Sequence, residues 1–427
     1  MKISLAYGEG SIEFELSDVS VDVIEPRHQS GLSNEREEVL NALDQPVGVQ
    51  PLREWLQPGC RVCVTFSDIT RPTPNERLIP WLLEYLHRHG VKREDVTLLS
   101  QLGTHRPGTR GEFERMLTAS VVANYRVIDH EPENPRALVQ CGVTGSGAPA
   151  LLNRHFVEAD VRIVTGFIEP HVFAGFSGGV KGIMPGIAGL QTVKSNHGFR
   201  HIAHPRATFG ITEGNPVWEE MRDIALRAGQ SFLLNVSLNT ERQITHVFAG
   251  HLIESHKEGC EFVRRSAMQP VDEPYDVVVT TNSGYPLYLN LYQAVKGMSA
   301  AARIVKEGGT IILAAECREG PPSGSAFERL MRSVKGPAEL LRLLHDSPEP
   351  FPDQWQAQIQ ALIQQRTTVM LMSRMSEGDV RAAHLIPCDD IVQEIHSLVI
   401  RKGTDLRIAV LPQGPLTIPY LTHEVFA

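Results

Sequence analysis

The sequence predicts an α/β protein of two domains, each built on a mostly parallel sheet, with an active-site cleft between the domains. Short apolar runs alternate with polar loops and helical patterns along the chain. The length of 427 residues suits roughly two or three domains. The alternation begins again near residue 273. We therefore place one domain at residues 1–270 and the other at 273–413, and residues 414–427 can cross back to complete the first.

Composition and charge argue against several classes of protein. Hydrophobic residues make up 42% of the chain and charged residues 21%, as in globular proteins. The net charge of −9 argues against a surface for nucleic acid, which needs a basic face. No apolar run reaches the roughly 18 residues that span a bilayer. We expect a cytoplasmic protein with no nucleic-acid or membrane partner. Cys60 and Cys63 form a C-x-x-C inside a strand-like run, and we expect buried thiols there.

The elements of the first domain follow from local patterns. Residues 1–18 alternate apolar and polar around Gly-Glu-Gly, which indicates a pair of strands. Three strand-like runs follow, at residues 61–66, 95–100 and 159–164. A helix is predicted over residues 75–89, closed by Gly90, although Pro80 falls inside it.

The second domain repeats this alternation. Its first strand is predicted at residues 276–281, and a helix is predicted from Asn290 to Lys306, ending at Gly308. Further strand candidates are residues 310–315, 368–372 and 407–411. Residues 317–366 are punctuated by prolines and are predicted to be helical or loop.

Polar loops follow the first three long strands, where open α/β sheets bind their ligands. The loops are SDITRP (67–72), GTHRP (103–107) and GFIEPH (166–171). They carry Asp68, Arg71, His105 and His171. Because the carboxyl ends of parallel strands lie at one edge of a sheet, we expect these side chains to converge.

The segment FAGFSGGVKGIMPGIAG, residues 173–189, carries Lys181 among six glycines. It is not a Walker A loop, because Val180 precedes the lysine, and it has no G-x-G-x-x-G fingerprint. A tight connection packed for shape alone is one interpretation. Close approach of Gly178 and Gly179 to a phosphorylated ligand is the other, and we favour it. Lys181 is a candidate covalent anchor.

Three histidines are candidates for chemistry. A single histidine in a loop is usually solvated, but His105 and His171 should open onto the same cleft. Two imidazoles that each take a proton from one enantiomer are what an enzyme needs to act on both mirror forms of a stereocentre. We take His197 as a metal ligand, and we expect His201 and His204, four and seven residues later, to be bystanders.

Tyr292, Gln293 and Lys296 lie on the predicted helix of the second domain. Gln293 and Lys296 are three residues apart, so they share a helix face. An amide and an ammonium group on one face suit a carboxylate. Spacing alone equally allows a solvated helix face.

Together these motifs resemble those of the nickel-dependent lactate racemase family. The matching segments are SDITRP, GTHRP, EPHVFAGFSGGVKGIMPG (169–186), NH (196–197) and YQAVKG (292–297). The resemblance extends over both domains. It implies two α/β domains around an interdomain active site, the first binding a cofactor and the second the substrate.

The cofactor that the resemblance implies is a nickel-pincer nucleotide, a pyridinium-3-thioamide-5-thiocarboxylic acid mononucleotide that carries Ni(II). By the same resemblance, Lys181 is tethered to it through a thioamide, and His197 completes a nickel site made by the ring carbon and two sulfurs. Sulfur and imidazole donors suit square-planar Ni(II). Gly178 and Gly179 would belong to the cofactor loop.

The resemblance also implies the reaction. His105 and His171 would be the acid/base pair that serves the inversion of C2 in a 2-hydroxy acid, by hydride transfer through a 2-keto acid. Residues implied to hold the substrate carboxylate or nearby cofactor groups are Arg71, Gln293 and Lys296, with Asp68 and Tyr292 in support. Substrates of the family range from lactate to larger acids, including sugar acids, and its members depend on cofactor-synthesis enzymes.

Two other functions remain open on the sequence. One is a zinc-type metallohydrolase that uses His171, His197 and a carboxylate. The other is a non-catalytic protein that binds a nucleotide or a hydroxy acid.

Overall fold

A computed structural model describes residues 1–17, 19–284, 289–321, 324–403 and 405–422 of the chain. In chain order the strands are β1 (Lys2–Tyr7), β2 (Gly10–Glu15), β3 (Val21–Val23), β4 (Val62–Ser67), β5 (Val96–Gln101), β6 (Arg126–Ile128), β7 (Leu138–Val143), β8 (Pro149–Asn153), β9 (Val161–Phe167), β10 (Pro170–His171), β11 (Gly175–Phe176), β12 (Phe232–Leu238), β13 (Ile244–His251), β14 (Met268–Val271), β15 (Tyr275–Thr281), β16 (Val305–Ala314), β17 (Thr368–Met372), β18 (Ile386–Pro387), β19 (Ile408–Leu411) and β20 (Ile418–Leu421).

The α-helices lie between these strands. In chain order they are α1 (Glu35–Asp44), α2 (Asn75–Arg88), α3 (Arg110–Leu117), α4 (Ala119–Asn124), α5 (Arg154–Val157), α6 (Leu190–Asn196), α7 (Phe199–Ile202), α8 (Pro216–Leu226), α9 (Glu254–Ala267), α10 (Leu291–Ala301), α11 (Ala326–Arg332), α12 (Pro337–Asp346), α13 (Gln354–Arg366), α14 (Glu377–Ala382) and α15 (Ile391–Lys402). Within the described ranges, none is both long and apolar enough to cross a bilayer.

The first unit contains a six-stranded sheet in the order β13-β12-β9-β4-β5-β6, in which only β13 is antiparallel to its neighbour. Side chains of β4 alternate between two cores: Val62 and Val64 face one, and Cys63 faces the other. Helices therefore cover both faces, as the predicted α/β fold requires. The three strands predicted here are β4, β5 and β9, each within three residues of its predicted bounds.

The second unit contains a fully parallel sheet in the order β18-β17-β16-β15-β19-β3. Its central strand reads YDVVVTT and is almost wholly buried, which is typical of a parallel strand covered by helices on both sides. Two mostly parallel sheets in one chain confirm the predicted fold class.

The amino-terminal strand pair forms as predicted, as a separate two-stranded sheet, but it packs against the sheet of the second unit. Ile3 and Leu5 of β1 pack in one core cluster with Val277 and Val279 of β15, and β3 joins the second sheet beside β19. The division at residues 1–270 is therefore wrong for the first strands. A two-stranded hairpin needs a surface on which to bury its apolar face, and local alternation does not say which sheet supplies it.

The predicted helix 290–306 is too long. Helix α10 ends at Ala301, the N–H of Ile304 bonds to the carbonyl of Ala301, and β16 begins at Val305. Val305 instead pairs with Tyr275 of β15, and residues 310–314 continue this pairing, so sheet pairing outweighs the helical pattern. Helix α2 runs through Pro80 as a helix of 14 residues.

The end of the chain contacts both units. β20 runs parallel to β14, the last strand before the second sheet, while a turn at Gly414–Leu416 packs against α10 and β15. The tail thus lies along the seam between the units and does not simply complete the first. Residues 423–427 of the predicted tail lie outside the described residues.

Candidate active site

The cleft lies where the carboxyl ends of β4, β5 and β9 meet α10 and α13 of the second unit. β4 has β5 on one side and β9 on the other, so the loops leaving these strands diverge and open a crevice. Its walls are formed by Ser67, Asp68, Arg71, Gln101, Leu102, Gly103, Thr104, His105, Gly166, Phe167, His171, Phe173, Ser177, Gly178, Lys181, Gly182, Pro185, Gly186, Val193, His197, Tyr292, Gln293, Lys296, Trp355 and Gln356.

All but one of the residues proposed for catalysis or for binding of cofactor, metal or substrate lie in this wall. The exception is Gly179. Its α-carbon packs against the ring of His256, and its N–H donates to Asn235 behind the loop. Gly178 does line the cleft.

His105 is held by the carboxylate of Asp68. Its Nδ1–H donates to Oδ2 of Asp68 over 2.8 Å, and the hydroxyl of Thr70 donates to the other oxygen. Burial raises the pKa of Asp68, but His105 and Arg71 outweigh it and the pKa lies below its ordinary value. Asp68 is therefore ionised, and it leaves the lone pair of His105 on Nε2. In this tautomer His105 is a proton acceptor toward the cleft.

His171 is presented by the short hairpin of β10 and β11. Its Nδ1 accepts a hydrogen bond of 3.3 Å from the N–H of Ala174, which leaves the proton of the neutral ring on Nε2. Burial, followed by the charges of Lys181 and Lys296, lowers its pKa well below the ordinary value. His171 is therefore neutral, and its Nε2–H can donate a hydrogen bond, whereas Nε2 of His105 can accept one.

Lys181 projects from a tight turn at Gly179–Gly182. Burial and the neighbouring charges of Arg71 and Lys296 lower the pKa of its amine well below the ordinary value. Its Nζ lies 5.5 Å from the centroid of the Phe173 ring. An amine that loses its proton readily is a nucleophile near neutral pH.

Phe173 joins the chemical groups of the first unit into one cluster, and sequence reasoning missed it. Its ring centroid lies 4.6 Å from that of His171 and 5.0 Å from that of His197, edge to face in both cases. The aromatic ring separates imidazoles that would otherwise contact each other or water. One apolar residue in a glycine-rich loop carries no sequence signal for this position.

His197 caps helix α6 with one ring nitrogen free. Its Nδ1–H donates to Oδ1 of Asn196 over 2.9 Å. The amide of Asn196 is held in this orientation because its Nδ2 donates to Glu220 and to the carbonyl of Val217. A side chain that binds one nitrogen of a histidine and leaves the other free is the usual support of a metal ligand. His201 instead bonds to the backbone of Asn196 and, like His204, is absent from the cleft wall.

The second unit contributes a face of α10 and the start of α13. Burial and Arg71 lower the pKa of Lys296 to about 7, against the opposing effect of Glu169. Gln293 is buried, and its Oε1 has no hydrogen-bond partner among the residues that the structure describes. Trp355 lies edge-on to His197 with centroids 4.8 Å apart, and its Nε1–H donates to the hydroxyl of Tyr292.

Comparison with known proteins agrees with this arrangement. Residues 7–210 match the lactate racemase N-terminal domain, and residues 271–418 match the lactate racemase C-terminal domain. The chain is 34% identical over 418 residues to a lactate racemase from Thermoanaerobacterium thermosaccharolyticum, covering 96% of this chain and 97% of that one.

The chain belongs to the lactate racemase family.

Other members and structures are similar over most of their length. A lactate racemase from Lactiplantibacillus plantarum is 35% identical over 384 residues, covering 89% of this chain and 90% of that one. The lactate racemase apoprotein structure from T. thermosaccharolyticum aligns with a TM-score of 0.89 at 33% identity, over 98% of this chain and 100% of that one. A Thermotoga maritima protein shares the fold, with a TM-score of 0.72 at 22% identity, over 91% of this chain and 98% of that one.

In this member of the lactate racemase family, few protein side chains in the cleft could coordinate a metal ion. Across the described ranges, no three His, Cys, Asp or Glu side chains come together as a protein-only metal site would need. His197 is surrounded by Phe173 and Trp355 instead of carboxylates. The zinc hydrolase hypothesis required a carboxylate beside His171 and His197, and this geometry does not support it.

Proposed function

We propose that the protein is a racemase or epimerase that inverts C2 of a 2-hydroxy acid, lactate or a larger acid such as a sugar acid. Membership of the lactate racemase family supports racemisation, which makes the protein an isomerase. The observation that carries the proposal is the pair of histidines in one cleft. Hydrogen bonds leave a lone pair on Nε2 of His105 and a proton on Nε2 of His171.

The charges of the cleft suit an anionic substrate. Arg71, Lys181 and Lys296 face one another, and the nearby carboxylates are Asp68 and Glu169. Asp68 is already paired with His105. A substrate carboxylate would add a counter-charge between Arg71 and Lys296, since a planar guanidinium binds a carboxylate through two parallel hydrogen bonds.

The residues present fit a nickel-pincer nucleotide. Lys181 would anchor it through its amine, and Nε2 of His197 would be the protein's ligand to Ni(II), with the remaining donors supplied by the nucleotide itself. Oε1 of Gln293 has no hydrogen-bond partner among the described residues and is a further acceptor for a polar group of the ligand. When bound, such a group supplies a place that takes up the C2 hydride and returns it, which spares the formation of a carbanion. The protein would depend on enzymes that synthesise this nucleotide.

The chain's own residues move the proton. Nε2 of His105 would accept the hydroxyl proton of one enantiomer, and the ionised Asp68 stabilises the imidazolium that results. A protonated His171 would return a proton from Nε2 to the oxygen when the opposite enantiomer forms, and it would then be a neutral imidazole. In the reverse direction the two histidines exchange roles. Phe173, Trp355 and Tyr292 line the cleft and would exclude water from the 2-keto acid.

Two measurements test the proposal. Protein made together with the cofactor-synthesis enzymes should carry a mass adduct on Lys181 and should interconvert the enantiomers of lactate or of a larger 2-hydroxy acid, followed by chiral chromatography. Lys181→Ala should lose both, while Lys194→Ala, on the neighbouring helix α6, should keep both. Full racemase activity of Lys181→Ala would refute the proposed mechanism.

A further inference from the structure

The loop that carries Lys181 is held from behind by two buried side chains outside the cleft. Oδ1 of Asn235, on β12, accepts the N–H of Gly179 over 2.8 Å. Nε2 of His256, on α9, bonds to the carbonyl of Ser177 over 2.9 Å. Both side chains are at least 99% buried. Neither belongs to the cleft wall, and neither is close to Lys181 in sequence.

The polarity of each contact is determined by its surroundings. A second hydrogen bond from Nδ2 of Asn235 to the carbonyl of Val164 turns Oδ1 toward Gly179. Burial lowers the pKa of His256 to about 4, so its ring is neutral, and Nε2 must carry the proton because a carbonyl can only accept. The two residues thus supply one acceptor and one donor to the loop.

The loop fits these side chains closely. Gly178 has φ of +72° and Gly179 has φ of +53°, a region that favours glycine. A Cβ on Gly178 would lie 2.4 Å from Oδ1 of Asn235, and one on Gly179 would lie 2.4 Å from Cγ of His256. The glycines therefore serve contact with the protein interior as well as access to the cleft.

The held segment leads directly into the lysine. The N–H of Lys181 donates to the carbonyl of Gly178 over 3.0 Å, so the orientation of the Gly178–Gly179 peptide sets the start of the turn that carries the lysine. From this turn the amine reaches the Phe173 ring. A displaced turn would carry the amine away from Arg71 and Lys296.

We infer that Asn235 and His256 are positioning residues that hold the Gly178–Gly179 turn so that the amine of Lys181 stands in the cleft in a reactive position. The inference rests on the proposed role of Lys181 as an anchor. It adds two residues from different elements, β12 and α9, that act on the lysine only through backbone.

The test measures the reactivity of the Lys181 amine in the apoprotein. The rate at which acetic anhydride acylates Lys181 is measured from pH 6 to pH 11 by peptide mass spectrometry, in the wild type, Asn235→Leu, His256→Leu and His256→Gln. The wild type should titrate well below an ordinary lysine. In both leucine variants the apparent pKa should rise by about one unit, which lowers the rate near neutral pH about tenfold. His256→Gln keeps a donor and should restore the wild-type profile.

A matched control separates positioning from stability. His130 is also buried, has its pKa lowered to about 4, and bonds through Nε2 to the carbonyl of Ala188 over 2.9 Å. His130→Leu should lower the melting temperature about as much as His256→Leu but leave the titration of Lys181 unchanged. An unchanged Lys181 profile in His256→Leu, or an equal change in His130→Leu, would overturn the inference. If Asn235→Leu does not fold, the three histidine variants still decide it.

This assay does not depend on the bound nucleotide. If no adduct forms on Lys181 in the holoprotein, the proposed function fails while the acylation profiles still test the positioning. If the adduct forms but the profiles do not differ, only the positioning fails.

Discussion

The Nδ1–H of His105 donates to Oδ2 of Asp68, a carboxylate that is 95% buried and follows a different strand of the sheet. The contact spans 37 residues of sequence and joins the loops after β4 and β5. It orients the imidazole and selects the tautomer that can accept a proton. Since proton acceptance by His105 depends on Asp68, the carboxylate should matter to the rate without touching the substrate.

Asp68→Asn should therefore lower kcat by at least about a hundredfold with little change in melting temperature, because the amide can favour the opposite tautomer. The holoenzyme would be assayed with one lactate enantiomer. Asp129→Asn is the matched control, since Asp129 is a partly buried carboxylate that accepts from the N–H of Gly108 but lies outside the cleft wall. Equal losses in the two variants would contradict the role of Asp68.

Lys296 should make substrate binding depend on pH. Its pKa of about 7 means that the ammonium is lost as the pH rises through neutrality. KM for the anionic substrate should rise at least about tenfold between pH 6 and pH 9, because a buried charge then loses its partner. Lys296→Arg keeps its charge throughout this range. Its KM should stay level with pH, and a parallel rise in the variant would show that another group titrates.

Asn196 should control how firmly His197 holds a metal. Asn196→Leu removes the acceptor of the Nδ1–H, so nickel affinity should fall by about 10- to 100-fold. Nickel retained by the holoprotein after dialysis against graded chelator would be measured by mass spectrometry. Ser195→Ala, at the preceding residue, should retain the wild-type content. Loss of nickel in both variants would point to damage of helix α6 in general.

Buried neutral histidines should make the fold sensitive to acid. The pKa values of His130 and His256 are lowered to about 4 by burial, whereas in the unfolded chain they are near 6.5. Stability is thus fully present above pH 6.5 and is lost as the pH falls toward 4, by about 1.4 kcal/mol per pH unit for each histidine. Urea unfolding at pH 7 and pH 5 measures the loss.

His256→Gln should reduce that loss between pH 7 and pH 5, because the variant has no proton to bind at this position. The same change at the exposed His28 should leave the loss as it is. An unaltered pH dependence in His256→Gln would contradict the assignment of a neutral buried ring.

Much of the architecture could be predicted from local patterns. Apolar runs with β-branched residues indicated β4, β5, β9, β15, β17 and β19. Strands that are covered by helices on both faces are apolar along most of their length. The parallel order of such strands also predicted that their loops would meet at one edge. This rule, together with the family motifs, predicted that His105, His171, Lys181 and His197 lie close together, and all four line one cleft.

Other features were decided only by the tertiary structure. β1 packs against the second sheet, where Ile3 and Leu5 are buried, and β3 pairs with β19 of that sheet. Their position at the start of the chain does not indicate this placement. Phe173, Trp355, Asn196, Asn235 and His256 carry no periodic signal, because their roles depend on contacts with particular neighbours in the fold. Sequence alone determined which groups can do chemistry here, because residue type sets donor, charge and nucleophile. The fold decided their protonation and orientation, because pKa and tautomer depend on burial and on the neighbour that each group meets.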